Sequence, residues 1–267
     1  MPRFARRLLE PFGLEVRRIQ PASDLRLLQL AERARGFQAE DRLTQQFVAF
    51  ALQRAHRTHA QLFQDVLVEF VLGKRNGSFI EIGAFDGQTL SNTLYLERDL
   101  GWTGVLAEPA RVHHATIEKS RPGARLERRC VLDVTGMRVS FSEMELGELS
   151  TVDGFGGQDH LTRHRRARRT YEVETVSLDD LVREHFGGET VDYVSIDTEG
   201  TEARILSSYS FLGAPAILTV EHNYTPHRET IRQLLAERGY VNLMPRISCF
   251  DDWYVRHDVH AQRLAPS

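Results

Sequence analysis

Hydrophobic residues follow two spacings along this chain, and the change from one to the other comes near Ser78. Before it, apolar positions recur with helical periodicity: Leu27, Leu28, Leu30 and Ala31, then Phe47, Phe50 and Ala51, then Leu62, Phe63, Val66, Phe70 and Val71. From Ser78 onward, short apolar runs alternate with helical patterns, which predicts a parallel sheet covered by helices. The runs place strands at about 78–83, 104–108, 125–131, 191–197 and 215–221, with helices near 89–99, 110–120, 177–185, 201–208 and 226–238. Two further strand-like runs, Tyr240–Pro245 and Cys249–Arg256, are joined by a segment too short for a crossover helix, so the last strand should run antiparallel to its neighbour. The expected fold is α/β: a doubly wound, mostly parallel, seven-stranded Rossmann-like sheet with an antiparallel last strand and an N-terminal helical extension.

Residues 132–175 break the alternation. Arg138–Glu143 alternates like an edge strand, Ser150–Gly157 is a polar, glycine-rich loop, an arginine run spans Arg163–Arg169, and Tyr171–Val176 again reads as strand. An insertion before the fourth sheet strand suits a substrate lid. The expected organisation is a helical extension over 1–75 and a catalytic domain over 76–258 that carries this insertion.

Composition narrows the classes. A chain of 267 residues can bury a full core, and 34 Lys+Arg against 37 Asp+Glu gives no field that would attract nucleic acid. Cys130 and Cys249 form neither a zinc pattern nor a disulfide framework, as expected in a reducing cytosol. No run approaches the roughly 18 apolar residues of a membrane span, so a cytoplasmic protein is expected. Arg3, Arg6 and Arg7 beside Phe4, Leu8, Leu9 and Phe12 could form a basic amphipathic helix in peripheral contact with a membrane, although a packed helix with solvated arginines is the plainer expectation.

Candidate chemistry gathers where apolar runs end. Phe79-Ile80-Glu81-Ile82-Gly83-Ala84-Phe85-Asp86-Gly87 ends a run in a carboxylate and a glycine turn. About 20 residues later, Val105-Leu106-Ala107-Glu108-Pro109 ends the next run in a second carboxylate. That is the β-turn-α-β unit of a nucleoside-binding half-fold, with Glu108 placed to accept ribose hydroxyls. Two glycines, Gly83 and Gly87, stand where a dinucleotide fingerprint needs three. The spacing therefore suits S-adenosylmethionine, which has no pyrophosphate, better than NAD. Glu81 would face its cationic amino group, and Gly83, Ala84, Asp86, Gly87, Ser91 and Asn92 would cradle its amino-acid end on amides that open the next helix. Its adenosine would lie between Glu108 and Cys130, Val131 and Asp133.

A second motif, Asp197-Thr198-Glu199-Gly200-Thr201-Glu202, follows a buried run and crowds three carboxylates around a glycine turn. Such crowding needs a cation, a basic group or a helix N-terminus to offset it. The next run ends in Glu221-His222, beside Asp197 across the sheet. Asp197, Glu199 and His222 are therefore the candidate catalytic residues, with His222 as general base. Alternatively Asp197, Glu221 and His222 could hold Mg²⁺ against a substrate hydroxyl. The arginine run is either a solvated lid helix or a site for an anionic acceptor such as a nucleotide sugar or a phosphorylated lipid carrier.

Taken with Gln61-Leu62-Phe63-Gln64-Asp65, Leu90-Ser91-Asn92-Thr93 and Val176-Ser177-Leu178-Asp179-Asp180-Leu181, these motifs give the chain a resemblance, over about residues 59–256, to the FkbM-type family of S-adenosylmethionine-dependent methyltransferases. The resemblance implies a class I methyltransferase fold and methyl transfer to a hydroxyl of a sugar, glycolipid or secondary metabolite. It implies cofactor binding by Glu81, Gly83 and Glu108, and a catalytic face at Asp197, Glu199 and Glu202. The alternatives are a non-catalytic nucleoside-fold scaffold that binds a partner through its helices and arginine run, and an NAD-dependent oxidoreductase.

Overall fold

The computed structural model describes residues 42–144, 151–152 and 167–264; the basic N-terminal segment, residues 153–157 of the glycine-rich loop and Arg163–Arg166 lie outside these described residues. Two compact units meet in sequence between Thr58 and His59. The first carries the helix Arg42–Arg54. The second begins before the helix Gln64–Leu72 and holds both sheets.

The strands are β1 Ser78–Ile82, β2 Thr103–Ala107, β3 Ala124–Glu127, β4 Cys130–Leu132, β5 Arg138–Met144, β6 Thr151–Val152, β7 Ala167–Ser177, β8 Tyr193–Ile196, β9 Ile217–Glu221, β10 Tyr240–Leu243 and β11 Asp251–Arg256. Seven of them form the main sheet in the order β10-β11-β9-β8-β1-β2-β3. From β3 to β9 all pairings are parallel, and β11 lies antiparallel between β9 and β10. The sequence order reverses between β1 and β8, which is where an open α/β sheet places its ligand crevice. Ile80, Ile82, Val105, Val194, Ile196, Leu218 and Val220 join one buried core, because a sheet covered on both faces buries nearly every side chain of its inner strands.

Helix boundaries follow local chemistry. Leu178–Phe186 starts at Ser177, whose side chain accepts the Asp180 N–H at 3.1 Å, and stops at Gly187 in the left-handed region. The helix expected near 89–99 is shorter, Leu94–Leu100, so ten residues of loop separate it from Gly83. The amides expected to open a helix beside the cofactor belong to that loop instead.

The strand expected at 125–131 is two strands. The chain leaves the main sheet at Arg128 and Arg129, and β4 pairs with β7 in a second, four-stranded sheet ordered β4-β7-β5-β6. The expected insertion contributes β5, β6 and β7 to that sheet. Among the described residues, no helix is long and apolar enough to cross a membrane.

Candidate active site

The carboxyl ends of β1, β2, β8 and β9 open on one cavity of about 430 Å³. Glu81, Gly83, Ala84, Ser91, Asn92, Glu108, Cys130, Val131, Asp197, Glu199 and Glu221 all line it, so the strand-end acids converge on a common space. Gly83 makes this closeness possible. Its φ is +85°, and a Cβ there would stand 1.7 Å from the Asp197 carbonyl oxygen. Phe85, Leu90, Glu199, Asn223 and Tyr224, which also line the cavity, hold left-handed φ without being glycine. Conformations of that kind concentrate at functional sites.

Glu108 spans the first strand crossing. Its Oε2 accepts the Phe85 N–H at 2.8 Å and its Oε1 accepts the Ala110 N–H at 2.7 Å. Each oxygen keeps room for a further donor. Burial pushes this carboxyl up to about 7; the two amides act against that shift, and the charges of Glu143 and Asp197 add to it.

Glu81 is already engaged within the chain. It accepts the Asn92 N–H at 2.7 Å, the Ser91 hydroxyl at 3.0 Å and the Thr93 hydroxyl. Arg121 lies 3.8 Å away. Arg121 is 1% exposed and donates to Glu97, the Gly87 carbonyl, Ser91 and Thr93. Glu81 and Arg121 thus pin the 87–93 loop as one unit. In this loop Asn92 donates its Nδ2 to Ser195 at 2.9 Å, while its buried Oδ1 has no hydrogen-bond partner.

Asp86, Gly87 and Asp133 are not on the cavity lining. Asp86 accepts the N–H groups of Gln88 and Thr89 at 2.8 and 2.7 Å, closing an Asx turn. Gly87 seats that turn over Arg121, and Asp133 pairs with Arg204 at 2.8 Å.

At the other end, Asp197, Glu199 and Glu221 offer oxygens within 4.8 Å of one another. Burial first, then the charges of Asp197, Glu199 and Glu202, push Glu221 well above the usual carboxylate range, which favours its protonated form. A proton relieves the same repulsion a metal would. Glu202 plays another part. Its Oε1 accepts the N–H groups of Thr198 and Gly200 at 2.9 and 3.0 Å and the Thr198 hydroxyl at 2.7 Å, folding the turn that presents Asp197 and Glu199.

His222 departs from the expected base or metal ligand. Alternation along an extended backbone sends it away from Glu221, and it is missing from the cavity lining. Its Nδ1 accepts the Tyr224 N–H at 3.0 Å, and its Nε2 lies 3.8 Å from Asp252. Burial holds the imidazole down at about 4, so it is neutral, and Glu199 takes its expected place among the carboxylates.

Sequence reasoning missed Arg121, Gln64 and Asp251. Asp251 begins the antiparallel β11 opposite Glu221, so its N-terminal end lies beside the carboxyl ends of its parallel neighbours. Applying the strand-end rule to an antiparallel strand in reverse would have found it. Arg121 carries no such signal.

A family model described as Methyltransferase FkbM domain matches residues 81–241. The chain belongs to the FkbM methyltransferase domain family. Among solved structures, the fold is similar to methyltransferase FkbM from Methylobacillus flagellatus KT, at 13% identity and a TM-score of 0.44, over 87% of this chain. The present chain spans only 58% of that protein's length. It is also similar to the precorrin-6y C5,15-methyltransferase of Geobacter metallireducens GS-15, at 10% identity, TM-score 0.38, and 68% and 72% of the two chains. A third is the Burkholderia thailandensis 1,6-didemethyltoxoflavin-N1-methyltransferase, at 10% identity, TM-score 0.34, and 91% of each chain. No curated protein gives a significant match. The FkbM match begins at Glu81 and includes Glu108, Asp197, Glu199 and Glu221, but ends before Asp251.

Proposed function

We propose that the protein is an S-adenosylmethionine-dependent O-methyltransferase acting on a hydroxyl of a sugar, glycolipid or secondary-metabolite acceptor. The observation that carries the proposal is the convergence of Glu81, Glu108 and Asp197 on one cavity across the strand-order reversal. A protein using the fold only as a scaffold would need none of these acids there.

The residues fit the cofactor. Glu108 would accept the ribose hydroxyls on the oxygens already oriented by Phe85 and Ala110. The unpartnered Asn92 Oδ1 and the Glu81-anchored loop would receive the cationic amino group. Gly83 leaves the space that any larger residue would fill, and Cys130 and Val131 offer an apolar wall for the adenine.

When bound, the sulfonium supplies an electrophilic methyl group. The chain's own task is to align the acceptor oxygen and take its proton. Asp197 is placed to do so, because it follows directly on the carboxyl end of β8 and lines the cavity where the acceptor would sit. With His222 turned away from the cavity, Asp197 is the base.

Calorimetric titration with S-adenosylhomocysteine and with NAD tests the cofactor. Binding of NAD alone would make the protein an oxidoreductase, and binding of neither would favour a scaffold. Transfer of labelled methyl groups to sugars and glycolipids tests the reaction. Glu108→Ala should weaken binding, and Asp197→Ala should spare binding while abolishing transfer.

A further inference from the structure

The cavity wall is electrically one-sided. Glu81, Glu108, Asp197, Glu199, Glu221 and Asp251 line it, and among its described lining residues there is no lysine, arginine or histidine. Glu81 is taken up by the 91–93 loop, and Glu108 lies at the β2 end. The other four carboxylates gather beyond β8, β9 and the start of β11, where the acceptor would sit.

Asp251 distinguishes this end from a plain acidic cluster. Its side chain is 3% exposed and held from one side only: Oδ2 accepts Gln64 Nε2 at 2.9 Å and the Trp253 indole N–H at 3.2 Å. Its Oδ1 is buried with no hydrogen-bond partner. Gln64 is itself fixed, accepting the Leu62 N–H at 2.9 Å, so the carboxyl is oriented before any ligand arrives. An oriented, unpartnered oxygen calls for a ligand that donates. Since burial, with the charge of Asp197, holds the Asp251 carboxyl well above the usual range, a positively charged donor is the one that would bring it to its charged form. Tyr224, 58% exposed on the same lining, adds an aromatic face of the kind that receives ammonium groups.

We propose that this end of the cavity recognises a protonated amine on the acceptor, with Asp251 Oδ1 as its hydrogen-bond acceptor and Gln64 as the residue that positions Asp251. The acceptor is then an amine-bearing polyol of the amino-sugar class, methylated on a neighbouring hydroxyl. An anionic acceptor would meet Asp197 and Glu199 at the reacting end with no lysine, arginine or histidine among the described lining residues to offset them. The proposal rests on the methyltransferase function, since it assigns the half of the cavity that the cofactor leaves.

The test uses the full chain saturated with S-adenosylhomocysteine, titrated calorimetrically with glucosamine, N-acetylglucosamine, glucose and glucose 6-phosphate. Glucosamine should bind about tenfold or more tightly than either neutral sugar, and glucose 6-phosphate more weakly than glucose. Asp251→Asn should erase the glucosamine preference while S-adenosylhomocysteine still binds. Because N-acetylglucosamine removes the charge from the ligand, the comparison on the unaltered protein stands even if that variant misfolds. Equal affinities for glucosamine and N-acetylglucosamine, or no detectable glucosamine binding, would overturn the proposal. So would loss of glucosamine binding in millimolar Mg²⁺, which would assign the wall to a divalent cation. If S-adenosylhomocysteine itself fails to bind, the methyltransferase function falls; if it binds and no amine preference appears, only the amine assignment does.

Discussion

Glu108 accepts the backbone N–H of Phe85 at 2.8 Å, tying the end of β2 to the turn after β1. One carboxylate therefore shapes the glycine turn and also presents its remaining lone pairs to the cavity. Its carboxyl is held up at about 7, mainly by burial, so its charge changes near neutral pH. Ribose hydroxyls bond best to the charged form, and binding should pull the carboxyl back down. Affinity for S-adenosylhomocysteine should thus fall as pH drops below about 7 and level off above it. Glu108→Gln should bind more weakly and lose most of that pH dependence. Titrations at several pH values check both, and a wild-type affinity flat between acid and neutral pH would remove Glu108 from the ribose site.

Gly83→Ala should be among the most damaging small substitutions in the chain. The added Cβ would overlap the Asp197 carbonyl oxygen, and the backbone already sits at a φ of +85°. A loss of roughly 2–4 kcal/mol in unfolding free energy is expected, combining the left-handed strain with displacement of β1 from β8. Denaturant unfolding measures it. A variant as stable as wild type would mean that the two strand ends separate readily in solution.

The crossing of β1 and β2 was legible in the sequence because its signals are local. A carboxylate and a glycine at the end of an apolar run, repeated one strand on, fix which strands are neighbours and which ends face the ligand. The doubly wound, mostly parallel class and the antiparallel last strand follow from the same alternation of apolar runs and helical patterns. The break at Arg128 and Arg129 was not legible. Nothing in the run from Arg125 to Val131 separates the part that pairs with β2 from the part that pairs with β7, because that choice is made by partners far along the chain. His222 was placed at the cavity by its neighbour alone: it sits one residue past β9, where its ring accepts the Tyr224 N–H and faces Asp252, contacts that no local pattern announces.

Arg121→Lys tests a residue that no motif announced. The buried guanidinium reaches Glu97 at 2.6 Å, the Gly87 carbonyl at 2.8 Å, Ser91 at 3.1 Å and Thr93 at 2.8 Å, with Glu81 close by. A lysine ammonium cannot span that fork, so some of these groups would be left buried and unpaired. The expected loss is about 3–5 kcal/mol, as for breaking other buried pairs, and cofactor affinity should fall with it because the 87–93 loop lines the site. Thermal denaturation with and without S-adenosylhomocysteine separates the two effects. Unchanged stability would mean that Glu81 alone suffices to hold the loop.

Asp197 and His222 lie in the same region of the sheet, and their substitutions should behave oppositely. Asp197→Asn keeps the shape of the turn that Glu202 folds but removes the proposed base. Its turnover should fall by about 10²–10⁴, with S-adenosylhomocysteine affinity nearly unchanged. His222 has its Nδ1 on the Tyr224 amide, and its Nε2 faces Asp252, which is itself gripped by Arg228 and Arg232. It supports the Asn223–Tyr224 turn, whose φ values of 43° and 57° need such a hold. His222→Asn, which can still accept the Tyr224 N–H, should therefore keep turnover within about tenfold and mainly raise KM, since Tyr224 forms part of the acceptor wall. His222→Ala should lose more, through KM and stability together. Steady-state kinetics with a methylated acceptor distinguish the cases. A collapse of kcat in His222→Asn comparable to that in Asp197→Asn would return the histidine to the chemistry and require the 222–224 turn to reorganise when the acceptor binds.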